Sequence, residues 1–197
     1  MSYSLNEVEA TAKKATRGAG HAWGLAEEAG KAARWLCAQG LDGCGALARS
    51  LAAGGAAPDV AQPGWCARGP VLCPLQAGAA LADRAQALQR AGLTIGPVGE
   101  AVMLFPFAAL VSRALRRTVV LDWESGVAVI GPERLELTGM LPDAPVMLTC
   151  RTGGALDRPQ PRAARAAPDP ADWAALLHLA HRTYAPATEE SRLKGAG

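Results

Sequence analysis

Apolar positions recur early in the chain as Leu5, Val8, Ala12 and Ala15, the spacing of one helical face, while Glu7, Lys13 and Lys14 fall off it. Ser4 and Glu7 frame the start as a capping box: the hydroxyl accepts from the N3 amide and the carboxylate reaches back to the cap amide. Gly18-Ala19-Gly20 stops this helix, since glycine accepts the left-handed conformation beyond a C-cap. Leu25, Ala29, Ala32 and Leu36 set a second period, predicting a helix from about Gly24 to Gln39 with Gly40 as its stop. Asp42 caps a third helix through Ala53, with Leu47 and Leu51 inward.

Residues 54–74 read as loop, rich in Gly and Pro, and residues 75–91 as helix over most of their length, interrupted at Gly78 and Asp83. The pattern then turns to strands. Residues 93–95 and 101–104 are short β candidates, and 108–116 a helix with Arg113, Arg116 and Arg117 near its C-terminus. Residues 118–123 and 127–130 form a hairpin about Glu124-Ser125-Gly126, followed by strands at 134–138 and 146–150. Residues 151–168 read as a linker. Asp169 and Pro170 then open a final helix carrying Trp173, Leu176, Leu177, Ala180 and Tyr184, which Pro186 ends. The expected fold is α+β: an N-terminal helical hairpin, a central, mostly antiparallel sheet and a C-terminal helix packing back. The expected regions are 1–53, 54–150, the linker 151–168 and 169–197, gathered in one compact domain.

The face of the second helix opposite its apolar stripe carries Gly24, Glu28, Lys31 and Trp35 on one line and Glu27, Lys31 and Arg34 on the next. Arg17, His21 and Trp23 sit in or beside the turn that leads into it. Two readings stand side by side. One is a helical hairpin dressed with i,i+4 ion pairs such as Glu27 with Lys31, each worth a few tenths of a kcal/mol. The other is a ligand site, with free amides and the positive dipole end at the helix N-terminus favouring an anion.

Composition narrows the classes. At 197 residues with a net charge of +2, the chain is long enough for an ordinary core and shows no general affinity for polyanions. Its five cysteines, without an apolar leader, lead us to expect reduced thiols in a cytoplasmic protein. The most apolar run, residues 101–111, contains Pro106 and is too short to span a bilayer, so it reads as buried core. Neither nucleic acid nor membrane is an expected partner; a small anionic ligand, a partner protein or a second copy is.

The stretches KKATRGAGHAWGLAEEAGKAARWL and RTYAPATEESRLKGAG resemble a family of uncharacterised proteobacterial proteins catalogued as a domain of unknown function. The motifs are K-x2-R-G-A-G-x2-W-G-L-A-E-E-A at the front and Y-x-P-A-x3-S-R-x2-G-A-G at the tail. Leu72-Cys73-Pro74 and residues 78–83 are also similar. The resemblance implies no activity. It nominates Arg17, Trp23, Gly24, Glu27, Glu28 and Lys31 at the front and Tyr184, Ser191 and Arg192 at the back, and it implies an ordered tail.

Other chemistry is thinner. His178 and His181 share an i,i+3 spacing, but no carboxylate cluster completes a metal shell, and no metal or cofactor is expected. The pairs Cys37/Cys44 and Cys66/Cys73 are spaced wider than structural zinc favours, and Cys37 and Cys44 read as small apolar packing residues. Cys73, before Pro74, is a candidate nucleophile only if His21 lies near it. No phosphate-binding glycine loop is present. Arg151, Arg158, Arg162 and Arg165 read as part of a solvated linker. Two functions remain: a small-molecule (anion or carboxylate) binding or accessory protein with its site on the hairpin, or an enzyme using Glu27 or Glu28 as acid/base with Lys31 and Arg17 stabilising charge. In either case Arg192 is expected to engage Glu27 or Glu28 and fold the tail back as a lid.

Overall fold

The computed structural model describes residues 1–67, 71–88, 91–142 and 145–184. Helices α1 (Leu5–Gly18), α2 (Trp23–Ala38) and α3 (Gly43–Ala53) come first. Helices α4 (Pro74–Asp83), α5 (Ala85–Leu88) and α6 (Phe105–Leu115) occupy the middle, and α7 (Pro170–His181) closes the described chain. Strands β2 (Trp65–Cys66), β3 (Leu93–Val98), β4 (Val119–Trp123), β5 (Gly126–Ile130), β6 (Leu135–Gly139) and β7 (Val146–Thr152) form one sheet in the order β2-β3-β7-β4-β5-β6. All its pairings are antiparallel except β2 with β3. A second, small sheet pairs β1 (Tyr3–Ser4) with β8 (Arg165–Ala166). The architecture is the α+β arrangement expected, with helices leading and a helix closing.

The capping box forms: the Glu7 amide donates to Ser4 Oγ at 3.2 Å and the Ser4 amide to Glu7 Oε2 at 2.7 Å. These bonds hold the Glu7 carboxyl below its usual range. The α1–α2 turn ends on Gly20 with φ +101°, the left-handed position that the glycine supplies. Small residues let the helices meet closely. A Cβ on Gly30 would lie 2.8 Å from the Glu9 carbonyl of α1, and one on Gly18 would lie 1.9 Å from the Leu179 carbonyl of α7. Helix α7 thus packs back on α1, where Tyr3 stacks on Trp173 with ring centroids 4.1 Å apart.

Four details differ from the sequence reading. Ala101–Leu104 is a 3-10 turn instead of a strand, because it runs directly into α6, whose N-terminal turn carries Pro106. Gly78 sits inside α4 without ending it; the Phe107 ring lies 2.2 Å from where its Cβ would be, so glycine makes room for the aromatic. The 54–74 loop contributes β2 to the sheet edge. The stretch expected as a solvated linker is tied down along its length. Its first residues complete β7, the Gln160 amide donates to the Leu135 carbonyl (2.7 Å), the Ala163 amide donates to Ala38 (2.9 Å), and its end forms β8. Pro186, Ser191, Arg192 and the rest of the tail lie outside the described residues, and with them the expected lid.

Candidate functional site

Helix α2 carries its polar residues on two faces that meet different neighbours. On one face Glu28, Lys31 and Trp35 line a cleft of about 430 Å³ whose opposite wall is α6, with Pro106, Phe107, Leu110 and Arg113, and whose end is closed by Pro132 and Glu133 of the β5–β6 turn. Trp35 is fixed there because its Nε1–H donates to the Pro132 carbonyl at 3.1 Å. Beneath it, Gln39 Nε2 donates to the Glu133 carbonyl at 3.1 Å, tying the end of α2 to the same turn. Phe107 and the half-exposed Leu110 give the cleft an apolar floor.

Its charges are arranged unequally. Arg34 pairs with Glu9 at 2.8 Å, and Glu133 accepts from both Arg113 and Arg162, the latter at 3.0 Å. Lys31 forms no ion pair among the described residues. Partial burial raises the Glu28 carboxyl above its ordinary range, the Asp83 charge adds to the rise, and Lys31 opposes it.

The other face of α2 looks back at α1. Glu27 pairs with Lys13 across the hairpin, not with Lys31, and that contact lowers the Glu27 carboxyl. Lys13 and Arg17 stand over the Trp23 ring at 5.8 and 5.4 Å, and Arg17 Nη1 donates to the His21 carbonyl at 2.9 Å. Gly24 is exposed in the first turn with nothing within 4 Å of a Cβ. The residues expected to share one surface therefore fall into two groups. Arg17, His21, Trp23 and Glu27 belong to a cation–aromatic cluster at the hairpin turn, and Glu28, Lys31 and Trp35 belong to the cleft. The reason is angular: neighbouring helical residues differ by about 100°, enough to send Glu27 and Glu28 to different partners.

Residues 3–94 match the family model of a protein of unknown function (DUF3726). The match runs from β1 into β3, so it contains the whole hairpin and the α2 wall of the cleft, while α6 and the β5–β6 turn lie beyond it. Comparison with curated proteins and with solved structures gives no match.

The remaining nominated residues lie elsewhere. Cys73 is buried as the N-cap of α4, its amide donating to the Ala56 carbonyl at 2.9 Å. Tyr184 is exposed beyond α7, where Lys14 Nζ donates to its hydroxyl at 3.1 Å and stands 5.0 Å from its ring centre. Ser191 and Arg192 are outside the described residues. His178 contacts Arg182 at 3.4 Å, and among the described residues no group of three or more potential metal ligands occurs. No helix among them is long and apolar enough to cross a membrane.

Sequence reasoning missed the far wall of the cleft: Phe107, Leu110, Arg113, Pro132, Glu133 and Arg162. Trp35 and Pro132 are 97 positions apart, and no local signal links them. The nearest hint was an arginine-rich stretch holding Arg162, which reads as solvated until Glu133 is placed against it.

Proposed function

We propose that this chain is a binding or accessory protein that holds a small carboxylate-bearing molecule in the cleft between α2 and α6. One observation carries the reading: the cleft's arginines are matched to carboxylates while Lys31, on the same wall as Trp35, is left as a cation without a partner among the described residues. An exposed ammonium, an indole and an apolar floor lining one cleft suit a ligand with one anionic end and a flat or apolar body. The free thiols of all five cysteines suit a reducing compartment such as the cytoplasm.

An enzymatic reading rests on Glu28 alone. Its raised carboxyl suits an acid/base role, whereas Glu27 is held ionised by Lys13 and Arg17 is engaged at the hairpin turn. Calorimetric titration with benzoate and indole-3-acetate tests the binding reading. Lys31→Ala is expected to weaken indole-3-acetate at least tenfold, about 1.4 kcal/mol, and Trp35→Ala to weaken it more than benzoate. Equal affinities in the parent protein and both variants would show the cleft to be uninvolved.

A further inference from the structure

Cys37 lies in the last turn of α2 and Cys44 in the first turn of α3, and their sulfur atoms are 3.9 Å apart. Both are buried, at 5% and 0% exposure. The corner between the helices is tight: a Cβ on Gly43 would lie 2.4 Å from the Ala33 carbonyl and 3.1 Å from the Cys37 sulfur. The two side chains are therefore held against each other by backbone that has little room to move. A cavity of about 330 Å³ opens beside them, lined by both cysteines, by Asp42 and by Arg165 and Pro168 of the returning chain.

The two sulfurs are not equivalent. Either thiol can donate across this contact; the contact with Cys44 and the Gly43 and Cys44 amides that open α3 lower the Cys37 thiol, against its burial and the Asp42 charge. Cys44 is pushed up by its contact with Cys37, by burial and by the Asp42 and Asp172 carboxylates. Elsewhere, burial with no such contact pushes the Cys150 thiol up to about 12.

We propose that Cys37 and Cys44 form a redox site that a hydroperoxide oxidises to an intramolecular disulfide and a thiol reductant reopens. The Cys37 thiolate attacks the peroxide: an S–O bond forms, the O–O bond breaks, and the departing oxygen takes up the proton released by Cys37 and leaves as water or an alcohol. The Cys44 sulfur then attacks the Cys37 sulfenic acid. The S–S bond forms, the S–O bond breaks, and hydroxide leaves with the Cys44 proton as a second water. Two electrons have passed from the thiols to the peroxide. A dithiol returns them by exchange, ending as its own disulfide. The sulfurs have to close from 3.9 Å to about 2.05 Å. The cavity that both cysteines line gives a small oxidant a way to the pair.

The test uses the full chain, reduced, desalted and treated with one equivalent of hydrogen peroxide, then denatured, alkylated and digested. The expected result is the protection of two of the five thiols, a linked pair of peptides carrying Cys37 and Cys44 after digestion with a protease that cuts before Asp42, and an intact mass lower by two hydrogens. Dithiothreitol should restore all of these. Cys44→Ala is expected to leave a sulfenic acid on Cys37 that dimedone captures, and Cys66→Ser to leave the disulfide yield unchanged. If Cys44→Ala does not fold, the peptide map of the unsubstituted chain decides alone. Alkylation of all five thiols after peroxide, or a link through Cys66 or Cys150, would overturn the proposal.

Discussion

The α1–α2 hairpin and the α6–sheet body face each other across the cleft, and they are packed by opposite means. In the hairpin most buried positions are small: Ala12, Ala15 and Thr16 on α1, and Ala26, Ala29, Gly30 and Ala33 on α2, with Val8 and Leu36 the larger ones. In the body they are large: Phe105 on α6 lies against the Trp123 ring at 5.9 Å, Phe107 packs at Gly78 of α4, and Leu121 and Ile130 are buried in the sheet. Small residues bring backbones together, so the directions of Glu27, Glu28 and Lys31 follow from the helix axes themselves. Large residues fill volume, and the body supplies a rigid floor against which those directions become a cleft. The hairpin should therefore resist added atoms and the body should resist removed ones.

The largest effect is expected in the body. Phe107 is fully buried and its ring occupies the space that Gly78 leaves in α4. Phe107→Ala is predicted to cost about 3–5 kcal/mol in denaturant unfolding, transfer and cavity terms together. A loss below about 1 kcal/mol would mean that the floor collapses easily and that the contrast with the hairpin is false.

Two glycines of α2 sharpen the hairpin side. Alanine is favoured over glycine in a helix by up to about 1 kcal/mol, and Gly24→Ala, with open space around its Cβ, should gain up to that amount. Gly30→Ala should instead destabilise by about 1–3 kcal/mol, because its Cβ meets the Glu9 carbonyl of α1. Melting temperatures of the two variants check the prediction, which fails if both move in the same direction.

The smallest effect lies where the two regions meet. Burial raises the Glu28 carboxyl, so the folded chain binds this proton more tightly than the unfolded one. The favourable contribution is complete below the unfolded value of about 4.3 and is lost as pH climbs through the folded one. Glu28→Gln should thus have little effect near pH 4 and raise stability at pH 7, by no more than a few tenths of a kcal/mol because much of the carboxyl remains in solvent. Thermal melts at both pH values decide it. A variant less stable at pH 7 than at pH 4, relative to the parent, would show that Lys31 holds Glu28 ionised and that their attraction outweighs burial.

The helices and most strands were legible in the chain, because caps and apolar periods act over a few residues. Ser4 with Glu7, Asp42 and Asp169 each cap a helix as their spacing requires, and the 118–152 region pairs as its alternation requires. The sequence also marked Glu28, Lys31 and Trp35 as one line on α2. Packing between elements pairs Glu27 with Lys13 instead of Lys31, draws Arg162 from an apparent linker to Glu133, and brings the Cys37 and Cys44 sulfurs together across a helix corner. Periodicity fixes the angle at which a side chain leaves its own helix. What it meets there depends on the close approach of other elements, and that approach is set by glycines and rings far away in the chain.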